Sequence, residues 1–208
     1  MRCYRTNSKY SSNLYFVDNT ALDKSSKLFK VSLLIDHFHQ EFQNIPMAEH
    51  LCVAEQTVLF TGASTLKKYN LKISHKLGYN VFILCDNMGM VYDFFPYSGR
   101  ISPVDNPAVP DLGPSSNWVL HLAECIPPGK HHKIYFNRSF TSTKLIKNLS
   151  TRKIWACGAV QERSLPGLAF KADRELSELT RGSFEEFKAL TEATKIIVLN
   201  GTITNPYI

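Results

Sequence analysis

The order of the apolar segments constrains the fold of this chain more than any other feature. Three short apolar segments, over residues 51–60, 80–85 and 91–97, follow one another with turn residues between them. Such segments are typical of β-strands, and the polar turn over residues 86–89 predicts that the second and third form a hairpin or meander. A loop over residues 98–114, rich in proline and glycine, then separates them from a region where helical and strand patterns alternate.

The alternating region completes an α/β pattern. In chain order its predicted elements are a helix capped by Ser115 or Ser116 and ending near Cys125, a strand over 133–136, a helix capped by Ser142 over 143–149, a strand over 154–160, and a last strand candidate over 195–199. An amphipathic pattern over 27–43 predicts a further helix, interpreted as packing on the core. Three strands followed by helix, strand, helix and strand is the order of a ribonuclease H-like α/β core, a mixed sheet flanked by helices. That fold carries catalytic acids on its first strand and at the end of its fourth.

The end of the predicted fourth strand lacks such an acid. The apolar pair Tyr135-Phe136 runs into Asn137, and Ser142 then opens the next helix. Asparagine offers a neutral carbonyl oxygen, whereas magnesium prefers hard, anionic oxygen ligands. The sequence therefore predicts a site built on a catalytic framework from which an acid is missing.

Composition narrows the class of protein. The chain has 208 residues and a formal net charge of +6, a balance that favours nucleic acid or acidic surfaces as partners. Its five cysteines are scattered and form no C-x-x-C pair, which favours reduced thiols in an intracellular protein over disulfides or structural zinc. No apolar run is long enough to span a membrane, and the first residues do not resemble a signal peptide, so no membrane partner is expected.

The basic residues are unevenly placed along the chain. No acid occurs between Glu55 and Asp86, or between Glu124 and Glu162, although lysines and arginines occur in both intervals. Such stretches could line one basic face that contacts DNA phosphates, or could simply be a solvated lysine surface. The predicted nucleic-acid-binding residues are Lys67, Lys68, Lys72, Lys76, Arg138 and Lys144.

Several motifs, in order and spacing, resemble one family. Val53-Ala54-Glu55 with Phe60 and Gly62 is similar to V-D-E-x-M-x-x-F-x-G, Leu84-Cys85-Asp86 to L-C-D, residues 135–142 to F-D-N-x-F-T-S, and residues 156–160 to A-C-G-T-V. These are segments of the catalytic region of piggyBac-type transposases and their domesticated relatives. The resemblance runs from about residue 28 to the end of the chain.

The resemblance implies a degenerate catalytic site. The family's first two catalytic aspartates correspond to Ala54 and Asn137, and its third lies in a downstream segment that this chain does not reach, so we expect a core truncated at its C-terminus. The family uses Mg²⁺, and we expect no cofactor here, because alanine supplies no ligand and asparagine no charge. The expected protein is a piggyBac transposable element-derived domain that is nuclear, catalytically inactive and weakly, non-specifically bound to DNA, with self-association as a further expectation.

The resemblance also suggests a domain organisation. Residues 1–26 are interpreted as a polar lead-in, residues 27–160 as the ribonuclease H-like core, and residues 161–208 as the remnant of an insertion region with a following strand.

Alternatives remain open at this point. The chain could be a protein interaction or dimerisation module that uses the 27–43 helix and a sheet edge, or a decayed transposase fragment without selected function. A remodelled nuclease could use Asp86, Asp93 or Glu124, although the position of Asp86 is typical of a residue that caps a turn. Glu55 is not expected to replace the lost acid, because neighbouring strand residues point to opposite faces and Glu55 should face away from Ala54. Two weaker candidates are interpreted as structural: His131-His132 as an exposed loop pair, and Cys157 as a buried, inert thiol.

Overall fold

The computed structural model describes most of the predicted core. The described residues are 16–17, 28–59, 68–69, 77–97, 110–160, 165, 171, 174–175, 178, 183–191 and 194–201. The lead-in predicted over 1–26 lies almost wholly outside them, as do most of the 98–114 loop and much of the segment after residue 160.

A six-stranded mixed sheet forms the centre of the fold. Its strands are β1 (His50–Leu59), β2 (Lys68–Tyr69), β3 (Leu77–Asp86), β4 (Val91–Pro96), β5 (Lys133–Phe136) and β6 (Trp155–Gly158). The order is β2-β3-β1-β5-β6, with β4 also paired to β3. β3 pairs antiparallel with β1 and β4, whereas β5 and β6 run parallel to β1. The predicted ribonuclease H-like mixed sheet is confirmed, with each of its five predicted strands within a few residues of its expected bounds.

Helices and a separate hairpin complete the described structure. They are a 3₁₀ turn (Phe29–Val31) followed by α1 (Ser32–Gln43), then α2 (Pro114–Leu122) with a 3₁₀ turn (Ala123–Cys125), α3 (Thr143–Thr151), and the strands β7 (Phe184–Thr191) and β8 (Thr194–Gly201). β7 and β8 pair antiparallel as a two-stranded sheet. The sequence predicted β8 but not β7, because the β7 sequence contains adjacent acidic residues and begins with an exposed Phe184, so it lacks a clear apolar alternation. No described helix is long and apolar enough to cross a bilayer.

The core lies on one face of the sheet. Leu51 and Val53 of β1 pair in register with Ile134 and Phe136 of β5, and all four are buried. Residues that alternate along a strand point to opposite faces, so these four share the covered face. α2 and α3 cover it, with the aromatic ring of Trp118 stacked on Phe82 of β3 at 4.3 Å between centroids.

Helices α2 and α3 begin in different ways. Ser142 caps α3 as predicted, because its Oγ accepts the Leu145 N–H at 3.1 Å. The predicted capping of α2, the preceding helix, by Ser115 or Ser116 is wrong: α2 begins at Pro114, after Gly113 with φ of 96°. Proline suits a first helical position because its missing N–H would have no intrahelical partner there. Ser116 is instead buried within α2, with its Oγ 3.0 Å from that of Ser142.

Helix α1 packs on β4 through aromatic rings. Phe38 and Phe42 lie 6.3 and 6.0 Å from Phe94, measured between ring centroids. The interpretation of α1 as a core helix is only half right, since none of its residues is fully buried and Leu33 is 60% exposed. α1 therefore covers one margin of the sheet rather than its centre.

Candidate functional site

The parallel pairing of β1 and β5 brings the two predicted catalytic positions side by side. Val53 lies opposite Phe136 in the register, so the next residue on each segment is Ala54 and Asn137. Val53 is buried on the covered face, which places the half-buried Ala54 on the opposite face. Asn137 follows the last residue of β5 and is exposed. The two positions are therefore neighbours in space, and neither residue carries a carboxylate.

Asn137 has a structural task in the turn after β5. Its Oδ1 accepts the N–H of Ser139 at 2.8 Å, and its main-chain carbonyl accepts the Phe140 N–H at 3.1 Å and the Thr141 hydroxyl at 3.0 Å. This is the arrangement by which asparagine and aspartate stabilise a turn through their own side chain. Because Ala54 has no donor atom and the Asn137 oxygen is already engaged, the two positions do not fit a magnesium ion.

Glu55 does not compensate for the loss. The side-chain amide of Asn80 donates a hydrogen bond to Glu55 Oε1, and its Oδ1 accepts one from the Thr57 hydroxyl at 3.1 Å. Glu55 and Thr57 alternate with Ala54 along β1, so this network lies across the sheet from the Ala54 side chain. The hydrogen bonds support the expected orientation of Glu55.

Asp86 stabilises the turn between β3 and β4, as expected. Its Oδ1 accepts the N–H groups of Met88 at 2.8 Å and Met90 at 2.9 Å, and its Oδ2 accepts the Tyr92 hydroxyl at 3.1 Å. Partial desolvation raises the pKa of Asp86, but these hydrogen bonds to the charged form outweigh it and hold the pKa below its usual range. Asp86 thus serves the turn rather than a remodelled metal site.

Asp93 and Glu124 share a separate cavity of about 270 Å³ with His39, His121 and Cys125. His39 Nε2 lies 3.4 Å from Asp93 Oδ1 and donates to the Phe94 carbonyl at 2.9 Å. Burial raises the pKa of Asp93 to about 6, against the opposing effect of His39. Burial also lowers the pKa of His121 and raises that of Cys125 to about 12. The two histidines were not predicted as site residues, because nothing in their sequence spacing links them to Asp93.

These ligand-type side chains do not form a metal centre in the described part of the chain, where no group of three or more His, Cys, Asp or Glu is arranged to hold an ion.

Comparison with known proteins identifies the family. A family model described as transposase IS4 matches residues 9–201. The chain belongs to the transposase IS4 family. It is 29% identical, over 190 residues, to the human (Homo sapiens) PiggyBac transposable element-derived protein 2, a match that covers 90% of this chain and 31% of that protein. The chain thus spans about a third of the length of this relative.

A solved structure supports the fold. The chain matches a cryo-EM structure of the piggyBac transposase synaptic complex with hairpin DNA at a TM-score of 0.69 and 20% sequence identity, covering 97% of this chain and 44% of that one. The piggyBac-type resemblance of the sequence motifs is confirmed.

The predicted DNA-binding residues divide into two groups. Arg138 and Lys144 are exposed and flank the turn that leads from Asn137 into α3. Lys68 lies in β2, whose backbone pairs with Gly78, while its side chain is outside the described part of the structure. Lys67, Lys72 and Lys76 also lie outside the described residues. Arg138 therefore follows Asn137 directly and Lys144 lies in the first turn of α3, while a role in DNA binding stays a prediction for all six residues.

Two interpretations of weaker candidates need correction. His131 is exposed, but His132 is buried: its Nδ1 donates to the Ala48 carbonyl at 2.9 Å, so the pair is not a solvated loop. Cys157 is exposed rather than buried, because it alternates with Ala156 on β6 and faces the open side of the sheet. Sequence hydrophobicity alone could not distinguish the two faces of this short strand.

Proposed function

We propose that this chain is a piggyBac transposable element-derived domain that associates with DNA and does not cleave it. The observation that carries the proposal is the adjacency of Ala54 and Asn137 on neighbouring parallel segments, where the family's chemistry requires two acids. The framework of the site is retained while its metal ligands are replaced. Since the partner would be DNA, the proposed place of action is the nucleus.

The lack of cleavage follows from the chemistry of the replaced positions. Strand cleavage by this fold depends on divalent ions that activate the attacking oxygen and stabilise the leaving one. Ala54 offers a methyl group, and Asn137 offers a neutral oxygen that already accepts the Ser139 N–H. Each 1.36 kcal/mol of lost transition-state stabilisation lowers a rate about tenfold, so losing two anionic ligands is expected to remove activity.

DNA association rests on the charge that remains beside the site. Arg138 and Lys144 are exposed, and no acidic residue occurs in the sequence between Glu124 and Glu162. The structural relative is a transposase in complex with hairpin DNA, which supports the same class of partner for this chain. Exposed guanidinium and ammonium groups contact phosphates without reading bases, so we propose weak, salt-dependent and sequence-independent binding.

The test is fluorescence anisotropy of a labelled DNA duplex over a salt series without divalent metal. The informative variant is Arg138→Gln/Lys144→Gln, with Lys30→Gln/Lys188→Gln as a control that removes the same charge from exposed positions elsewhere. We expect the first variant to weaken binding and to reduce the slope of log affinity against log salt by about 2, while the control keeps the slope. Binding that does not respond to salt, or equal losses in both variants, would argue against the proposed contact.

Helix α1 favours self-association as a second candidate function. Leu33 on α1 is 60% exposed, and Phe38 on α1 and Val31 in the preceding 3₁₀ turn are also exposed. Exposed apolar side chains suit a protein contact. Light scattering of the purified chain without DNA tests this candidate. A stable dimer that Leu33→Glu converts to a monomer supports it, and a monomer at all concentrations removes it.

A further inference from the structure

A second cavity lies beside β6, and neither Ala54 nor Asn137 lines it. Its volume is about 360 Å³, and it opens between α3 and β6. Polar or aromatic side chains of His131, Lys153, Trp155 and Lys195 line it, over a partly apolar floor that includes Ile146. None of the residues assigned above to the degenerate site or to duplex contact lines this cavity.

Trp155 is the one aromatic residue besides His131 among the described residues that line this cavity. Its side chain is 63% exposed, in contrast to Trp118, which is buried in the core. The indole Nε1–H donates to His131 Nδ1 at 3.0 Å, so that nitrogen carries no proton and the imidazole retains its other N–H as a donor. The hydrogen bond holds the edge of the indole, while much of its aromatic surface faces solvent. An oriented, exposed indole is a good platform for stacking a planar group.

The backbone is strained at two residues that line this cavity. Within the described residues, His131 and Lys153 are the only non-glycine residues with positive φ, each at 57°. Lys153 follows α3, its N–H donating to the Ser150 carbonyl at 2.9 Å, at a helix end where glycine is most common. Residues held in such conformations cluster at functional sites. Lys153 therefore brings a cationic side chain to the cavity at a position where glycine would end the helix with less strain.

The charge of the lining points to an anion. Lys153 and Lys195 both contribute exposed ammonium groups, and no carboxylate lines the cavity among the described residues. Two cations, an imidazole donor and an indole face are together complementary to a planar base that carries phosphate.

We propose that this cavity binds an unpaired nucleotide, with its base stacked on Trp155 and its phosphate held by Lys153 and Lys195. The nucleotide could be free or part of a single strand, since both present the same chemistry. This inference does not rest on the duplex contact proposed above, because it uses different side chains.

Intrinsic fluorescence tests the proposal directly. The chain has two tryptophans, and only Trp155 is exposed, so a stacked base is expected to quench the Trp155 emission. The probes are deoxyadenosine monophosphate, a short oligodeoxyadenylate and inorganic phosphate. We expect saturable quenching by both nucleotides, absent in Trp155→Phe, and none by phosphate. Whichever of the two nucleotide probes binds more tightly shows whether the ligand is a free nucleotide or part of a single strand. Quenching by neither nucleotide, or equally by phosphate, would overturn the proposal.

Lys153→Gly is the decisive variant, because glycine removes the charge and also relieves the positive φ. We expect the melting temperature to be unchanged or higher, and nucleotide affinity to fall about fivefold or more. Arg138→Gln/Lys144→Gln is expected to leave mononucleotide affinity within about twofold, since no phosphate contact in the cavity is lost. A folded Lys153→Gly chain with unaltered affinity would contradict the proposed site, even if duplex binding behaved as expected.

Discussion

The imidazole of His39 on α1 lies 3.4 Å from the carboxylate of Asp93 on β4, so one ionisable contact joins the helix to the sheet. Asp93 also lies near Glu124, whose charge opposes ionisation of Asp93, and the same cavity contains His121. Protonation of Asp93 therefore changes a contact between α1 and the sheet.

Asp93 is expected to make stability depend on pH. Its pKa is raised from 3.8 to about 6, mainly by burial, so folding favours the protonated form. The stabilisation is therefore complete below about pH 4 and is lost as the pH rises through 6. Asp93→Asn should become more stable relative to the unaltered chain between pH 4 and pH 7, by up to about 3 kcal/mol.

Urea denaturation of both chains across this pH range measures that difference. His121 acts in the opposite sense, since burial lowers its pKa, but it is present in both chains and cancels in the comparison. A difference that stays constant from pH 4 to pH 7 would show that Asp93 is not the linked group.

Gly158 is predicted to be intolerant of even a methyl group. A Cβ at this position would contact the Thr141 hydroxyl oxygen and would lie 2.7 Å from ring atoms of Phe136. Both neighbours flank the Asn137 turn, so we expect Gly158→Ala to destabilise the fold by about 1–3 kcal/mol through overpacking. The exposed neighbour Cys157 gives the control, since Cys157→Ala should change the free energy of unfolding little. Equal effects of the two substitutions in thermal melts would refute the close approach.

Ser142 is predicted to stabilise α3 through its cap. Ser142→Ala removes the acceptor of the Leu145 N–H and should cost about 1 kcal/mol of unfolding free energy. Ser142→Asp restores an acceptor for that N–H and is expected to recover most of the loss. Chemical denaturation followed by circular dichroism compares the three chains, and a Ser142→Asp chain no better than Ser142→Ala would argue against the capping role.

The sequence predicted the central sheet because its signals are local. The alternation of apolar segments and turns located β1, β3 and β4, and the Ser142 cap located α3. β7 escaped prediction because its pairing with β8, rather than its own hydrophobicity, makes it a strand. The burial of His132 depends in the same way on a long-range contact, with the Ala48 carbonyl.

The candidate site was predictable in position but not in detail. The motifs led to the expectation of a site at Ala54 and Asn137, and the parallel register of β1 and β5 shows that these distant residues are neighbours. The turn formed by the Asn137 side chain and the cavity beside Trp155 could not be predicted, because both depend on hydrogen bonds and side-chain packing that no local pattern encodes.

Calorimetric titration with Mn²⁺ tests the central claim most directly. The unaltered chain is compared with Ala54→Asp/Asn137→Asp, in which the second substitution keeps an acceptor for the Ser139 N–H and therefore the turn. We predict no saturable binding to the unaltered chain and measurable binding to the variant, because carboxylates at these two neighbouring positions restore anionic ligands. Saturable binding to the unaltered chain that Asn137→Ala abolishes would contradict the account.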